Sequence, residues 1–244
     1  MVNRRITFVA LLMFMLARMD ASATPSTQIW IPSTDIQPFA KPHFGWDVYV
    51  NAFGNGLLSD GGITLGLLPF QKVGMEVGID YKDINGAHWY PFYLNAKLGV
   101  PEDAFFKYMP ALAVGGYDFG FKRGVTTCNI LYGLAAKTVW MLGRFSAGGY
   151  RGSIGVDPHA LWLDKSGKIE DAGVLASWDR VISEVTDKLW VGVDYQSGTN
   201  GYGAISFGAA YLFAPNVSVI LGYDIYGNPA LKPTVTMQVD INAW

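Results

Sequence analysis

Residues 73–81 alternate without a break: Val73, Met75, Val77, Ile79 and Tyr81 are apolar, while Gly74, Glu76, Gly78 and Asp80 are small or acidic. Successive side chains of a strand point to opposite faces, so this stretch has one greasy face and one wet one. Comparable alternation recurs along most of the chain. Half of the residues are hydrophobic and 16% are charged, against about 25% charged in a typical soluble domain. No stretch approaches the ~20 consecutive apolar residues that a spanning helix needs. If this chain crosses a membrane, strands must do the crossing, and strands can do so only as a closed barrel. The pattern therefore predicts an all-β, antiparallel up-and-down transmembrane β-barrel.

The first 23 residues read as a secretory signal peptide. Arg4 and Arg5 precede an apolar run from Ile6 to Ala17, and Ala21, Ser22 and Ala23 form a small-residue cleavage site. Cleavage removes three of the 18 basic and one of the 20 acidic residues, leaving a net charge of −4. Such a chain is not basic enough for nucleic acid to be its partner. Residues 24–42 form an extended, proline-rich N-terminal tail with Pro25, Pro32, Pro38 and Pro42. Proline lacks a backbone donor, so this is no central strand. Its apolar residues Ile29, Trp30, Ile31 and Phe39 suggest that it docks, either in the lumen or on a periplasmic partner. Residues 43–244 are left for the barrel.

Twelve strands are predicted, at 43–53, 61–70, 72–82, 90–100, 111–120, 127–138, 143–152, 172–180, 188–197, 201–213, 216–226 and 233–243. Most match the ~9–11 residues that cross a bilayer at a tilt. The fifth strand reads equally well with either face outward. The links after strands 2, 6 and 10 are short, and those after strands 1, 3, 7 and 9 are longer or rich in Gly and Asn. Tight inner turns and longer outer loops are the habit of membrane barrels, and a periplasmic N-terminus reproduces it. The inner link 101–110 is an exception. Pro101, Glu102 and Asp103 look like a helix start, with Phe105, Phe106 and Tyr108 resting at the interface. Aromatic residues also sit near strand ends, as interface girdles require: Tyr81, Phe92, Tyr195 and Tyr223 at one end, Phe70, Phe145 and Phe213 at the other.

Taken together, the export signal, the alternating strands, the aromatic strand ends and the terminal Trp244 resemble Gram-negative outer-membrane β-barrel proteins. The resemblance is to the porin-like class and runs from His43 to Trp244. It implies residence in the outer membrane, contact with its lipid, and recognition of the C-terminal Trp244 by the barrel assembly machinery. Trp244 departs from the usual pattern in parity, because Val235, Met237, Val239 and Ile241 fall on the other face. Oligomers are compatible with the class.

Parity assigns the wet face. Its acids are Asp47, Glu76, Asp80, Asp118, Asp179, Asp194, Asp224 and Asp240, and its bases are Lys97, Lys137 and Arg144. An Arg or Lys facing lipid at the midplane costs ~2–4 kcal/mol, so these side chains are predicted to line a watery lumen. Asp80, Asp118, Asp194 and Asp224 lie toward the outer strand ends, which predicts an acidic outer vestibule that enriches cations. Glu76 and Lys97 are near-opposed and should pair across strands. Many inward positions are small, among them Gly74, Gly78, Gly99, Gly133, Gly148, Gly192, Gly208 and Gly222. They leave room for a bore or ease strand curvature. The link 152–171 is the longest outer one, and its Asp157, His159 and Trp162 are candidates for a constriction loop.

The expected function is a channel for passive passage of small hydrophilic solutes or ions, with no cofactor. The alternative is a non-conducting barrel acting as an anchor or partner-binding protein. An outer-membrane lipid hydrolase needs a nucleophile beside a base. The histidines are His43, His88 and His159, and none stands beside an obvious serine. The single cysteine, Cys128, makes no internal disulfide or metal site alone and reads as a small apolar strand residue. A soluble ligand-binding barrel would have to turn the long aliphatic face inward and the glycine-rich face out.

Overall fold

The computed structural model describes residues 26–54, 56–83, 89–153 and 159–243. The segment read as a signal peptide, Asp157, His88 and Trp244 lie outside them. Twelve antiparallel strands close into one barrel, each hydrogen-bonded to its sequence neighbours, with the first joined to the last. They are β1 (Pro42–Asn51), β2 (Leu57–Gly66), β3 (Gly74–Asp83), β4 (Phe92–Val100), β5 (Ala111–Gly120), β6 (Thr127–Val139), β7 (Gly143–Gly152), β8 (Ala172–Val181), β9 (Leu189–Gln196), β10 (Ala204–Ala214), β11 (Val217–Tyr226) and β12 (Thr234–Asn242). Closure leaves no unpaired edge. No described helix is long and apolar enough to cross a membrane.

The alternation sorts as the sequence reading expects. Leu221 is 60% exposed on the outside, while its neighbour Ile220 is fully buried inside. Leu94, Leu98, Ile205, Phe207, Val235 and Met237 also face out. Such a continuous aliphatic exterior is stable only against hydrocarbon. Edge-to-face pairs such as Tyr81 with Phe92 sit at its rim.

Three local expectations are corrected. The second strand runs Leu57–Gly66 and not 61–70. Its first half, Leu57 to Gly62, has too few apolar residues to read as amphipathic. From Ile130 onward in β6 the buried residues are Ile130, Tyr132, Leu134 and Ala136, so Gly133 and Lys137 take the outward parity. Glycine and alanine on both faces of this strand blur its periodicity. The link 101–110 makes turns and no helix. Glu102 accepts the Thr138 N–H at 2.8 Å and the Thr138 hydroxyl at 2.7 Å, tying the turn to the end of β6.

The two-sided reading of β5 has a physical cause. Its register shifts between Tyr117 and Phe119, and Asp118 has φ +59°. A bulge inserts one residue and re-aims the side chains around it. Tyr117 and Asp118 both line the interior as a result.

Candidate functional site: a lumen filled from its own N-terminus

Residues 26–37 run inside the barrel, and the exposed residues 38–41 lead from it into β1. Ser26 to Ser33 close a tight loop in which the Gln28 N–H meets the Ile31 carbonyl at 2.8 Å and the Ser33 N–H meets the Ser26 carbonyl at 3.1 Å. Ile29 and Ile31 are essentially unexposed. A bend of this kind leaves neighbouring backbone N–H groups pointing the same way, which makes an anion-binding concavity. Asp194 of β9 fills it. Its Oδ2 accepts the N–H of Ile29 at 2.8 Å, Trp30 at 2.8 Å and Ile31 at 3.3 Å. Strand β12, three strands round the wall from β9, reaches the same bend, with Gln238 Nε2 donating to the Ile29 carbonyl at 2.6 Å. The Trp30 indole donates to the Tyr202 carbonyl at 2.8 Å and packs edge-on against Tyr49 and Tyr226.

Nearer the end that carries the termini, charges hold the segment. Arg144 donates from Nη1 to Asp35 at 2.7 Å and from Nε to Asp179 at 2.9 Å, bridging plug and wall. Glu76 and Lys97 pair at 3.1 Å from opposed positions of β3 and β4. Both are almost fully buried, and the plug surrounds them. Glu76 accepts the Ser26 hydroxyl at 2.8 Å and the Gln37 N–H at 2.6 Å, while Lys97 Nζ donates to the Ser26 carbonyl at 3.3 Å. Phe39 then bridges Gly66 in parallel, and the Ala40 N–H meets the Gly66 carbonyl at 2.9 Å.

The inward glycines receive this segment. A Cβ at Gly74 or at Gly99 would lie 2.8 Å from side-chain carbons of Ile36. One at Gly208 or Gly222 would lie 3.3 Å from Ile29. Room that reads as a bore in the sequence is taken by two isoleucines.

A cavity of about 300 Å³ remains between the plug and the β1–β6 side of the wall, from Glu76 and Lys97 toward the loop end. Asp47, Asp60, Asp80 and Asp118 line it together with Lys82. Lys82 pairs with Asp60 at 2.9 Å and with Asp118 at 2.6 Å. Asp80 accepts from Asn95 at 2.8 Å, and Asp47 has the Tyr49 hydroxyl at 3.5 Å.

The long link folds inward at the loop end. Its 3₁₀ turn, Ala160–Trp162, buries Trp162 completely, stacked between Tyr150 and Tyr202. The Tyr202 hydroxyl donates to Asp118 at 2.8 Å. Burial, with the Asp118 charge beside it, holds this phenol well above its ordinary range, so it stays a donor. Farther out, Asp164 accepts from the Ser166 hydroxyl and from the N–H groups of Lys168 and Ser166, which hold its carboxyl below the usual range.

Of the site residues read from the sequence, Asp47, Glu76, Asp80, Lys97, Asp118, Arg144, Asp179, Asp194, Asp224 and Asp240 have their side chains inside. Lys137 does not. It stands opposite the lipid-facing Phe145 and pairs with Glu102 at 2.9 Å and Asp103 at 3.1 Å at the barrel rim. The sequence pattern does not single out Asp60, Lys82 and Asp35 as lumen residues. Asp60 precedes the predicted second strand, Lys82 shares parity with Glu76 and Asp80 and is legible on that ground, and Asp35 carries no strand signal. The described histidines use both ring nitrogens. His43 faces Asn242 at 3.0 Å and Asp240 at 3.5 Å, while His159 faces the Val125 carbonyl at 3.0 Å and the Leu161 N–H at 3.2 Å.

The barrel resembles outer membrane phospholipase A from Escherichia coli, with 10% identity over 86% of this chain and 94% of that one and a TM-score of 0.50. It also resembles the calcium-bound dimer of the Salmonella typhi outer membrane phospholipase, with 12% identity over 94% of this chain and 96% of that one and a TM-score of 0.51. The fold is that of the bacterial outer-membrane β-barrels. The NanC porin is more distant, with 8% identity over 83% of this chain and 99% of that one and a TM-score of 0.46. At these identities the likeness is one of fold. No protein-family model matches the sequence. No curated protein matches it either.

Proposed function

We propose that the protein is an outer-membrane channel held shut at rest by its own residues 26–41, with the termini on the periplasmic side. Displacement of the segment opens a path for small hydrophilic solutes or ions. The carrying observation is the clamp on the plug, in which Asp194 takes three backbone N–H groups and Arg144 bridges Asp35 and Asp179.

A second observation favours a channel over a permanently filled anchor. Behind the plug, Thr236 Oγ1 and Gln238 Oε1 are buried without a hydrogen-bond partner among the described residues. Buried polar atoms ordinarily find partners, so this wall is more polar than the plug requires and suits water when the plug leaves. The acids near the loop end give the open state a preference for cations. A hydrolase gains no support from His43 and His159, whose ring nitrogens face no serine hydroxyl. Insertion through recognition of Trp244 by the assembly machinery belongs to the same reading.

The test is solute flux into liposomes carrying the mature chain or a chain lacking residues 26–41. The intact chain should be closed and the shortened one open, with cations passing faster than anions. An intact chain that leaks like an open porin contradicts the closed state. A folded, shortened chain that stays closed favours the anchor or partner-binding alternative.

A further inference from the structure

We infer that the cavity between plug and wall is a binding site for a small organic cation bearing one or two ammonium groups. Five carboxylates, Asp47, Asp60, Glu76, Asp80 and Asp118, face this space with two ammonium groups, Lys82 and Lys97, and the His43 ring. Glu76 and Lys97 pair with each other. Lys82 is already shared between Asp60 and Asp118. Asp47 and Asp80 have no Lys or Arg partner among the described residues, and neutral side chains meet them instead. The cavity thus holds two carboxylates, Asp47 and Asp80, that no cationic side chain pairs with among the described residues.

The remaining lining defines the kind of cation. Tyr117 and Tyr132 line the same space, their ring centroids 5.9 Å apart, with Tyr49 and Trp30 across from them. Tyr132 is 9% exposed, and its hydroxyl has no hydrogen-bond partner among the described residues. A phenol oxygen can accept an N–H donor, and aromatic faces attract ammonium groups. A volume of about 300 Å³ is at the lower end for small-molecule sites and far exceeds a bare metal ion. Solvent reaches the site past the partly exposed Asp60 and Lys82. Ser26, Ile29 and Trp30 form one wall, so the inference rests on the closed state proposed above.

The test is isothermal titration of the full mature protein in detergent with 1,4-diaminobutane, with the uncharged isostere 1,4-butanediol, and with sodium and magnesium chloride at matched ionic strength. The diamine should bind saturably, and the diol and salts should not. Asp47→Asn and Asp80→Asn should each weaken binding at least tenfold. Equal binding of the diol, displacement of the diamine by magnesium at equimolar concentration, or no saturable binding to the wild-type chain overturns the inference. Liposome flux on the same preparation separates the two readings. A closed chain that fails to bind the diamine refutes the site alone, whereas a leaking chain refutes the plug beneath it.

Discussion

The Asp194 carboxylate accepts the backbone N–H of Trp30 at 2.8 Å, across 164 residues of sequence. The same oxygen takes the flanking N–H groups of Ile29 and Ile31. A proline-rich segment makes few backbone bonds of its own, and inside a barrel its free donors need acceptors. One anionic side chain supplies three of those bonds at the point where the plug bends.

Replacing Asp194 with Asn keeps an acceptor and removes the charge. Hydrogen bonds to charged groups contribute about 1.5–3 kcal/mol, so the plug should lose about 2 kcal/mol of anchoring. Asp194→Asn should melt at a lower temperature, read from the heat-modifiable gel migration of folded barrels, and should show brief openings in bilayer recordings.

The three atoms nearest a Cβ at Gly74 all belong to Ile36, the Cγ2 at 2.8 Å. Overpacking costs about 1–3 kcal/mol. Gly74→Ala should therefore destabilise the closed state, and Ile36→Ala in the same chain should restore part of the loss. Urea titrations of the two single variants and the double variant in lipid vesicles measure that coupling.

Glu76 and Lys97 form a buried pair at 3.1 Å. Removing one partner from such a pair strands the other charge and costs about 3–5 kcal/mol. Lys97→Met should be severely destabilised, and Glu76→Gln with Lys97→Met should be milder than Lys97→Met alone. A double-mutant cycle on unfolding free energy reads the sign directly.

Leu221 is 60% exposed at the middle of β11, and Leu57 is 66% exposed at the start of β2. Arg at the bilayer midplane costs about 2–4 kcal/mol, against 0–1 kcal/mol near the interface. Leu221→Arg should thus lose several times the stability that Leu57→Arg loses on folding into vesicles. Equal penalties would mean that the aliphatic face does not meet lipid.

The strand count and the facing of most strands were legible because period-two alternation survives wherever one face meets lipid and the other polar groups. It failed where that contrast vanishes. The β6 wall is apolar inside, at Ile130, Tyr132 and Leu134, so Lys137 was given the wrong face. At Asp118 a bulge breaks the period, and at Ser59 and Asp60 the strand lacks an apolar row. The plug left only a partial trace. Ile29 and Ile31 announced that the tail docks, but its clamp joins Trp30 to Asp194 and Asp35 to Arg144 across long separations, and no local pattern encodes those pairings.

The central claim is that residues 26–37 occupy the lumen. A cysteine pair tests it most directly. A Cβ at Gly74 lies 3.1 Å from the Cβ of Ile36, close to the ~3.5–4.5 Å that a disulfide spans. The chain Ile36→Cys, Gly74→Cys, with the buried Cys128 replaced by Ala, is oxidised in membranes and digested, and the linked peptide is quantified by mass spectrometry. Near-complete linkage in the folded barrel is expected. Two thiols that remain free and alkylate independently in the folded, membrane-inserted protein would contradict the account.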